Sequence, residues 1–577
     1  MTIKAPVLIA ALLAAMSSVS AQHVSVEEYV LPNGMRLLMI PKKGDPDITA
    51  GWIARAGSVN ERPGITGISH LLEHMMFKGT RTIGSTDIDR EMELLEQIDD
   101  VKAEIRKEEK DLGRRYRLGL VSAVDDPAYR SDRHNELLRE YHKIENESRR
   151  YVVPNEFDQV YTFAGASGLN AGTGPDYTIY FVNVPVNKLE LWFWMESDRL
   201  LNPVFREFYA ELDVVKEERR MRTESTPTGI IQEQFNAMFF ASSPYSWSVV
   251  GWPSDLDGMI REDVEAYFNL HYTPGNITAG LVGDFDPEQV KKLADAYFGR
   301  LRPGVRPPPA VRTREVEQVA EKRMTAYADT NPEAVIRYHS VAEGHKDEPA
   351  LMVLGSLLSG RTGRLHRSLV LDRKIANSAS AGQVGMKYEG YFVLNGIAKP
   401  ESSPEEVEQA LYEEIEKLQK EKVGERELQK VKNQFAADNF RRLESRFQLL
   451  LQILAADSNR GWRSFNEDPK LIDAVTPEDI QRVANRYFRP ENRAVVLYYT
   501  KQSGESGGDR LLDGLSEQEK TQIRQFRSAV AQMSVDEARA ILMKLESDAE
   551  VAPPEKAKFV EAFIQLLQQK IQKDGGE

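Results

Sequence analysis

The chain has 577 residues, a formal net charge of −14 and no cysteine. Its 41% apolar content can fill more than one hydrophobic core, so several domains are expected. Lack of cysteine excludes thiol catalysis, cysteine-ligated zinc, disulfides and a lipid-modified N-terminal cysteine, and acidic charge with no long basic run speaks against nucleic-acid binding.

Residues 1–21 read as an export signal. Lys4 gives a positive start, Pro6 to Met16 a short apolar core, and Val19-Ser20-Ala21 a small-residue cleavage site. A dozen apolar residues are too few to span a bilayer, and no later segment offers eighteen uncharged apolar residues in a row. The mature chain is therefore expected to have no membrane span and to work in a periplasm. Tyr29-Val30-Leu31 leads into the turn Pro32-Asn33-Gly34, and Met35 to Ile40 reads as the return strand. Asp47 to Gly57 reads as a third strand.

The pentapeptide His70-Leu71-Leu72-Glu73-His74 follows. On a helix, positions i and i+4 share a face, so both imidazoles can reach one ion, with Glu73 beside them. Two neutral nitrogen ligands and an adjacent carboxylate are what metal-assisted hydrolysis requires, in the inverted order of the H-E-x-x-H zinc motif. The apolar flanks and Gly79 describe a short buried helix that stops at a glycine.

Charged residues with leucines at helical spacing, from Ile88 to about Tyr151, read as a helical hairpin within residues 88–155, broken near Asp125-Asp126-Pro127. Tyr177 to Val184 alternates as a strand, and Val186 to Leu201 is an amphipathic helix. Glu211 to Arg220 suits a helix with one buried stripe. A third metal ligand must come from elsewhere than the His pair. Glu211 and Glu218, two turns apart, share a face, whereas Glu217 points about a hundred degrees away. Spacing alone does not choose among them.

Glu262-Asp263-Val264, Tyr272-Thr273-Pro274-Gly275-Asn276 and the apolar run Ile277 to Val282 have an echo later in the chain. Glu478-Asp479-Ile480, Phe488-Arg489-Pro490-Glu491-Asn492 and Ala494 to Tyr499 repeat them at one constant offset, so that Pro490 answers Pro274 and Asn492 answers Asn276. Each copy reads as helix, proline turn and strand, which predicts two similar α+β halves. The expected organisation is a first half over 22–301, a Pro-rich linker over 302–320, a second half over 321–501, and a linker with a helical tail over 502–577. Gln502 to Gly508 is the flexible start of that tail. Ser534 and Glu537 form a capping box, and Pro553-Pro554 a break. Hairpin and tail are each readable as partner-binding arms or as helices packed on their own domain.

Arg55-Ala56-Gly57-Ser58, Glu61, Gly67 to Met75 and Phe77-Lys78-Gly79-Thr80 together resemble the M16 metallopeptidases, the family of pitrilysin, insulysin and the mitochondrial processing peptidases. Leu169-Asn170-Ala171-Gly172-Thr173 and Glu211 to Glu218 match two further family blocks in order, and the resemblance runs from Val24 to Thr500. It implies two similar α+β halves of M16 (LuxS/metallohydrolase-like) type forming a clam shell, and a zinc endopeptidase cutting peptides inside a chamber. Carried over position by position, His70, His74 and Glu218 would bind Zn2+. Glu73 would be the general base and Glu211 a carboxylate supporting the site. Asn170 and Ala171 would lie on an edge strand that pairs with an extended peptide substrate.

Two departures stand out. The stretch between His74 and Glu218 is longer than the family usually shows, and the predicted hairpin accounts for the excess. Active members also carry an Arg and a Tyr seven residues apart in the second half, where this chain has Val370 and Asn377. The resemblance then implies a homodimer or a heterodimer with a related chain that supplies the pair. A non-catalytic assembly subunit and a peptide-capturing protein are the competing functions.

Overall fold

The turn at Pro32-Asn33-Gly34 closes a hairpin between β1 (Glu27–Val30) and β2 (Arg36–Pro41), with Gly34 at φ 90° as the turn demands. The computed structural model describes residues 23–124 and 126–501 and, toward the C-terminus, residues 519, 522–523, 526–527, 530, 533–549 and 557–574. The export signal over 1–21, Asp125, the linker from Gln502 to Gly508 and Pro553-Pro554 lie outside the described residues.

Two sheets carry the fold. The first holds β1, β2, β3 (Asp47–Ala54), β4 (Ser167–Thr173), β5 (Thr178–Pro185) and β6 (Ile277–Gly283), in the order β1-β2-β6-β3-β5-β4. The second holds β7 (Lys322–Ala328), β8 (Glu333–Ser340), β9 (Ala376–Gly385), β10 (Gly390–Ala398) and β11 (Arg493–Thr500), in the order β7-β11-β8-β10-β9. Leaving out β1, the two orders are the same, strand for strand, with β4 and β9 as matching edges. The α+β class and the two similar halves expected from the repeat are thus what the chain forms. β3 stops at Ala54, short of the expected end at Gly57, because both neighbouring strands begin opposite it, at Thr178 and Ile277, and the Ala56 N–H turns back to the Ala54 carbonyl at 2.8 Å.

The helices that position the site are α1 (Ile68–Met75), the hairpin α2 (Ile88–Arg117) and α3 (Asp132–Ser148), α4 (Phe208–Arg219), α5 (Gly229–Phe239) and α6 (Arg261–His271) in the first half. The second half contributes α7 (Glu348–Leu358), α8 (Glu425–Glu444), α9 (Arg446–Asn459) and α10 (Pro477–Tyr487). α6 and α10 are the two copies of the repeated helix. Each is followed by a proline turn, Pro274–Asn276 or Pro490–Asn492, and then by a strand. In both copies the turn asparagine, Asn276 or Asn492, donates from Nδ2 to the last-turn carbonyl of His271 or Tyr487 at 2.8 Å.

The hairpin has its own core of Leu95, Ile98, Val101, Ile105, Leu137 and Tyr141, and its helices start at capping side chains, Asp87 and Ser131. Its base is closed by a bridge between Ser85 and Val152. Arg206, fully buried, donates to Glu91 at 2.8 Å and to the carbonyls of Thr80 and Ile83, tying the hairpin to the loop after α1. Extra length between His74 and Glu218 is thereby taken up beside the site rather than in it.

The halves exchange helices. α5 of the first half packs Phe235 and Phe239 against Ala326, Ala494, Val496 and Tyr498 of the second sheet. α9 of the second half packs Leu449, Leu450, Ile453 and Leu454 against Leu38, Ile40, Ile53 and Val282 of the first. Glycine makes this approach possible: a Cβ on Gly280 in β6 would lie 2.9 Å from Leu450 and 3.1 Å from Leu454. Asp457, near the end of α9, locks the exchange. Its Oδ2 accepts from Arg36 at 2.7 Å, Arg55 at 2.6 Å and Thr278 at 2.7 Å, with its side chain fully buried. Asp457→Ala leaves two partly buried guanidinium groups with weaker partners, Arg55 with Thr278 and Arg36 with Glu28 at 3.9 Å, and is expected to cost about 3 kcal/mol. A denaturant titration followed by tryptophan fluorescence checks this, and an unchanged midpoint would contradict it.

The described chain falls into two compact units divided between Tyr499 and Thr500. In the second unit, α11 (Val535–Ala549) and α12 (Ala557–Asp574) are helical as expected, and Ser534 and Glu537 exchange capping hydrogen bonds. Ala538 and Leu567 share a small core, and Ala562 and Leu566 belong to another. No helix among the described residues is long and apolar enough to cross a membrane.

Candidate metal centre

α1 starts abruptly. Gly67, just before it, sits at φ 89°, and a Cβ there would come within 2.6 Å of the Val250 carbonyl oxygen. The Glu61 carboxylate accepts from the backbone N–H groups of Gly67 and Ser69, each at 2.9 Å, satisfying donors that a helix N-terminus otherwise leaves bare. Burial pushes Glu61 up to about 8, against the pull of those two N–H groups. Ile68, Leu71, Leu72 and Met75 anchor the helix in the first core. His70, Glu73 and His74 are left on the opposite side.

α4 brings the distant carboxylates to that side. Its C-terminal end is fixed by Arg219, which holds Glu233 through two hydrogen bonds of 2.7 Å and donates to the Gly251 carbonyl at 2.7 Å. Glu218 Oε2 lies 3.6 Å from His70 Nε2 and 3.4 Å from His74 Nε2. Ligands held tetrahedrally at about 2.0–2.1 Å from zinc lie about 3.3–3.4 Å apart, so the Glu218 oxygen stands from each imidazole nitrogen close to the spacing such an ion sets. The whole donor set falls within 4.8 Å, and it is the group of three potential ligands that converges among the described residues. Glu217, the alternative on the same helix, instead pairs with Arg220 at the surface, through bonds of 2.8 and 2.6 Å.

The supporting contacts differ between the two histidines. Glu211 Oε1 takes a 2.8 Å hydrogen bond from His74 Nδ1, and Lys78 holds the other Glu211 oxygen at 2.6 Å. Burial would raise the Glu211 carboxyl, but His74 and Lys78 together hold it down at about 2. Burial likewise disfavours the charged form of His74, but the Glu211 bond and the charges of Glu211, Glu73 and Glu218 together outweigh it, so its pKa is raised. His70 is held down at about 3 by burial, helped by the charges of His74 and Arg222, and stays neutral. Its Nδ1 is buried without a hydrogen-bond partner. Nε2 is thus the end of the ring aimed at the group. A carboxylate bonded to the far nitrogen of a ligating imidazole fixes its tautomer and orientation, and His74 alone has one.

Glu73 Oε2 accepts from Thr173 Oγ1 at 2.6 Å. Burial raises the Glu73 carboxyl, while Thr173 and His74 pull the other way. Thr173 is the last residue of the edge strand β4, which also carries Asn170 and Ala171, and Asn170 is exposed. The fold therefore gathers His70, Glu73, His74, Glu211 and Glu218 into one cluster. Asn170 and Ala171 lie on the edge strand that leads away from it. Thr173, Lys78 and Arg222 complete the cluster without having been picked out from the sequence. One of them had a signal, since Arg222 follows Glu218 at the i,i+4 spacing of a helix face, whereas Lys78 lies past the end of α1 and reaches Glu211. Arg222 holds Glu218 Oε1 at 2.6 Å. In the second half, Val370 packs against the core there, and Asn377 is the second residue of β9, donating to the Ala398 carbonyl at 3.3 Å.

Comparison with known proteins agrees with this fold. Residues 37–108 match the family model for insulinase (peptidase family M16), and residues 259–435 match that of the peptidase M16 inactive domain. The zinc protease PqqE of Helicobacter pylori is 25% identical over 482 residues, covering 82% of this chain and 92% of its own. A probable mitochondrial-processing peptidase subunit beta of Arabidopsis thaliana is 21% identical over 486 residues, covering 81% of this chain and 76% of its own. The crystal structure of a protease from Helicobacter pylori superposes with a TM-score of 0.67 at 22% identity, over 83% of this chain and all of the other.

Proposed function

As the chain belongs to the M16 family of peptidases, we propose that it is an exported zinc-dependent endopeptidase that cuts extended or unfolded polypeptides in a periplasm. One observation carries this reading: the Glu218 carboxylate oxygen stands 3.6 and 3.4 Å from two imidazole nitrogens, close to the spacing of zinc ligands, with a second buried carboxylate, Glu73, on the histidine helix. His70, His74 and Glu218 would hold the ion. Zinc in that position supplies Lewis-acid polarisation of the scissile carbonyl and acidifies water.

The protein's own groups do the rest. Glu73, oriented by Thr173, takes the proton of the attacking water and passes it to the leaving amine nitrogen. The water's hydroxyl joins the carbonyl carbon as the C–N bond breaks. Glu211 and Lys78 keep the His74 ring turned toward the ion. An extended substrate adds to the free edge of β4 along Asn170 and Ala171, main chain to main chain, which delivers its backbone to Glu73.

The working unit contains two M16-type chains. Val370 and Asn377 stand where active members carry Arg and Tyr, and two relatives are named as subunits. A partner chain supplies that pair, whether a second copy or a related protein. Cleavage of an unstructured fluorogenic peptide, assayed across a size-exclusion profile, tests both parts. Activity is expected in fractions larger than one chain, lost with a chelator and restored by zinc. Chelator-resistant cleavage would overturn the zinc reading, and full activity in a monomer fraction would overturn the two-chain reading.

A further inference from the structure

The internal repeat extends into the ligand helix. At the same offset, Glu211-Leu212 and Val215-Lys216 recur as Glu427-Leu428 and Val431-Lys432, which sets Gln434 at the place of Glu218. The surroundings recur as well. α7 packs against edge strand β9 and against α8, as α1 packs against edge strand β4 and α4. Yet α7 has no histidine, and Glu427 is held by Arg364 through bonds of 2.9 and 2.7 Å. The second half keeps the frame of the metal centre without its ligands.

A groove of about 1140 Å3 between α7 and α8 occupies that place. Arg361, Arg426 and Lys430 line it, and none of the three is in a salt bridge among the described residues. In a chain of net charge −14, three cations lining one groove without a salt bridge among the described residues, Lys430 only lying near Glu427, is a concentration that suits an anion. Asp438 adds no net negative charge, since Arg441 already pairs with it. Gln429, Asn433 and Gln434 also line the groove, offering amides that can donate to and accept from a peptide backbone. No aromatic side chain lines it, so nucleobases find no stacking surface. Ser359, on its wall, donates to the Ala381 carbonyl and accepts from the Ala381 N–H at 2.6 Å, which takes up the outer edge of β9 there. Backbone pairing is blocked at Ala381, beside the groove, where recognition falls to the groove's side chains.

We propose that this groove binds a carboxylate-rich segment of an extended polypeptide. The site is separate from the metal centre and does not depend on metal chemistry. A fluorescein-labelled, glutamate-rich decapeptide is titrated into the full chain, with chelator present so that no metal-dependent cleavage consumes the probe. Saturable binding is expected, weakening as salt is raised. Arg426→Glu with Lys430→Glu should weaken it at least on the order of tenfold, and the milder Arg426→Gln with Lys430→Gln should weaken it less. The reversals Lys107→Glu with Arg114→Glu, on the distant hairpin, change net charge equally and should leave binding unaltered. The proposal is overturned if the acidic peptide does not bind, if the hairpin reversals weaken it as much, or if a lysine-rich peptide or an oligothymidylate binds as tightly. Circular dichroism of each variant confirms that exposed charge reversal leaves the fold intact.

Discussion

Glu73→Gln is expected to abolish peptide hydrolysis, lowering kcat by on the order of 10²–10⁴-fold, while zinc content and peptide affinity stay unchanged. The amide keeps the shape of the carboxylate and can still face Thr173, but it cannot take a proton from water. Loss of turnover with retained binding separates an enzyme from both competing functions. An assembly subunit and a peptide-capturing protein have no use for a base at this position, and the substitution would leave them unaffected. Steady-state kinetics with zinc analysis on the same sample provide the check. Residual turnover near that of the parent chain would remove Glu73 from the chemistry.

Substitutions around the ion are expected to fall in a definite order. Glu218→Ala removes a ligand and should strip zinc from the purified protein, taking activity with it. Glu211→Gln leaves all three ligands but weakens the bond that orients His74, and should loosen zinc by about 10–100-fold. Glu217→Gln, on the same helix, should change neither, because Glu217 faces Arg220 at the surface. Competition with a fluorescent zinc chelator reads all three affinities. Equal losses for Glu217→Gln and Glu218→Ala would show that the helix had been assigned the wrong face.

Much of this site was legible in the sequence because it is local. His70, Glu73 and His74 are separated by single turns of helix, so their shared face follows from geometry alone. The internal repeat was legible for a similar reason, since helix, proline turn and strand succeed one another without tertiary help. Selection of Glu218 over Glu217 was not readable from spacing. It follows from how Arg219 anchors the end of α4 against Glu233 and Gly251. The exchange of α5 and α9 was hidden as well, because an apolar helix face does not say which sheet it covers. Its trace lies in Gly280, whose missing side chain makes room for Leu450 and Leu454, and in Asp457, a lone acid in an apolar helix. Thr173 escaped notice because a threonine at a strand end is ordinary until the fold sets a carboxylate beside it.

The central claim is that one divalent cation sits between His70 Nε2, His74 Nε2 and Glu218 Oε2, next to Glu73. Anomalous diffraction at the zinc edge, on crystals of the purified protein, tests it most directly. The expected result is a single strong peak about 2.0–2.1 Å from each of those three atoms. A zinc-loaded crystal with its peak elsewhere, or with Glu218 turned away from the ion, would contradict the account.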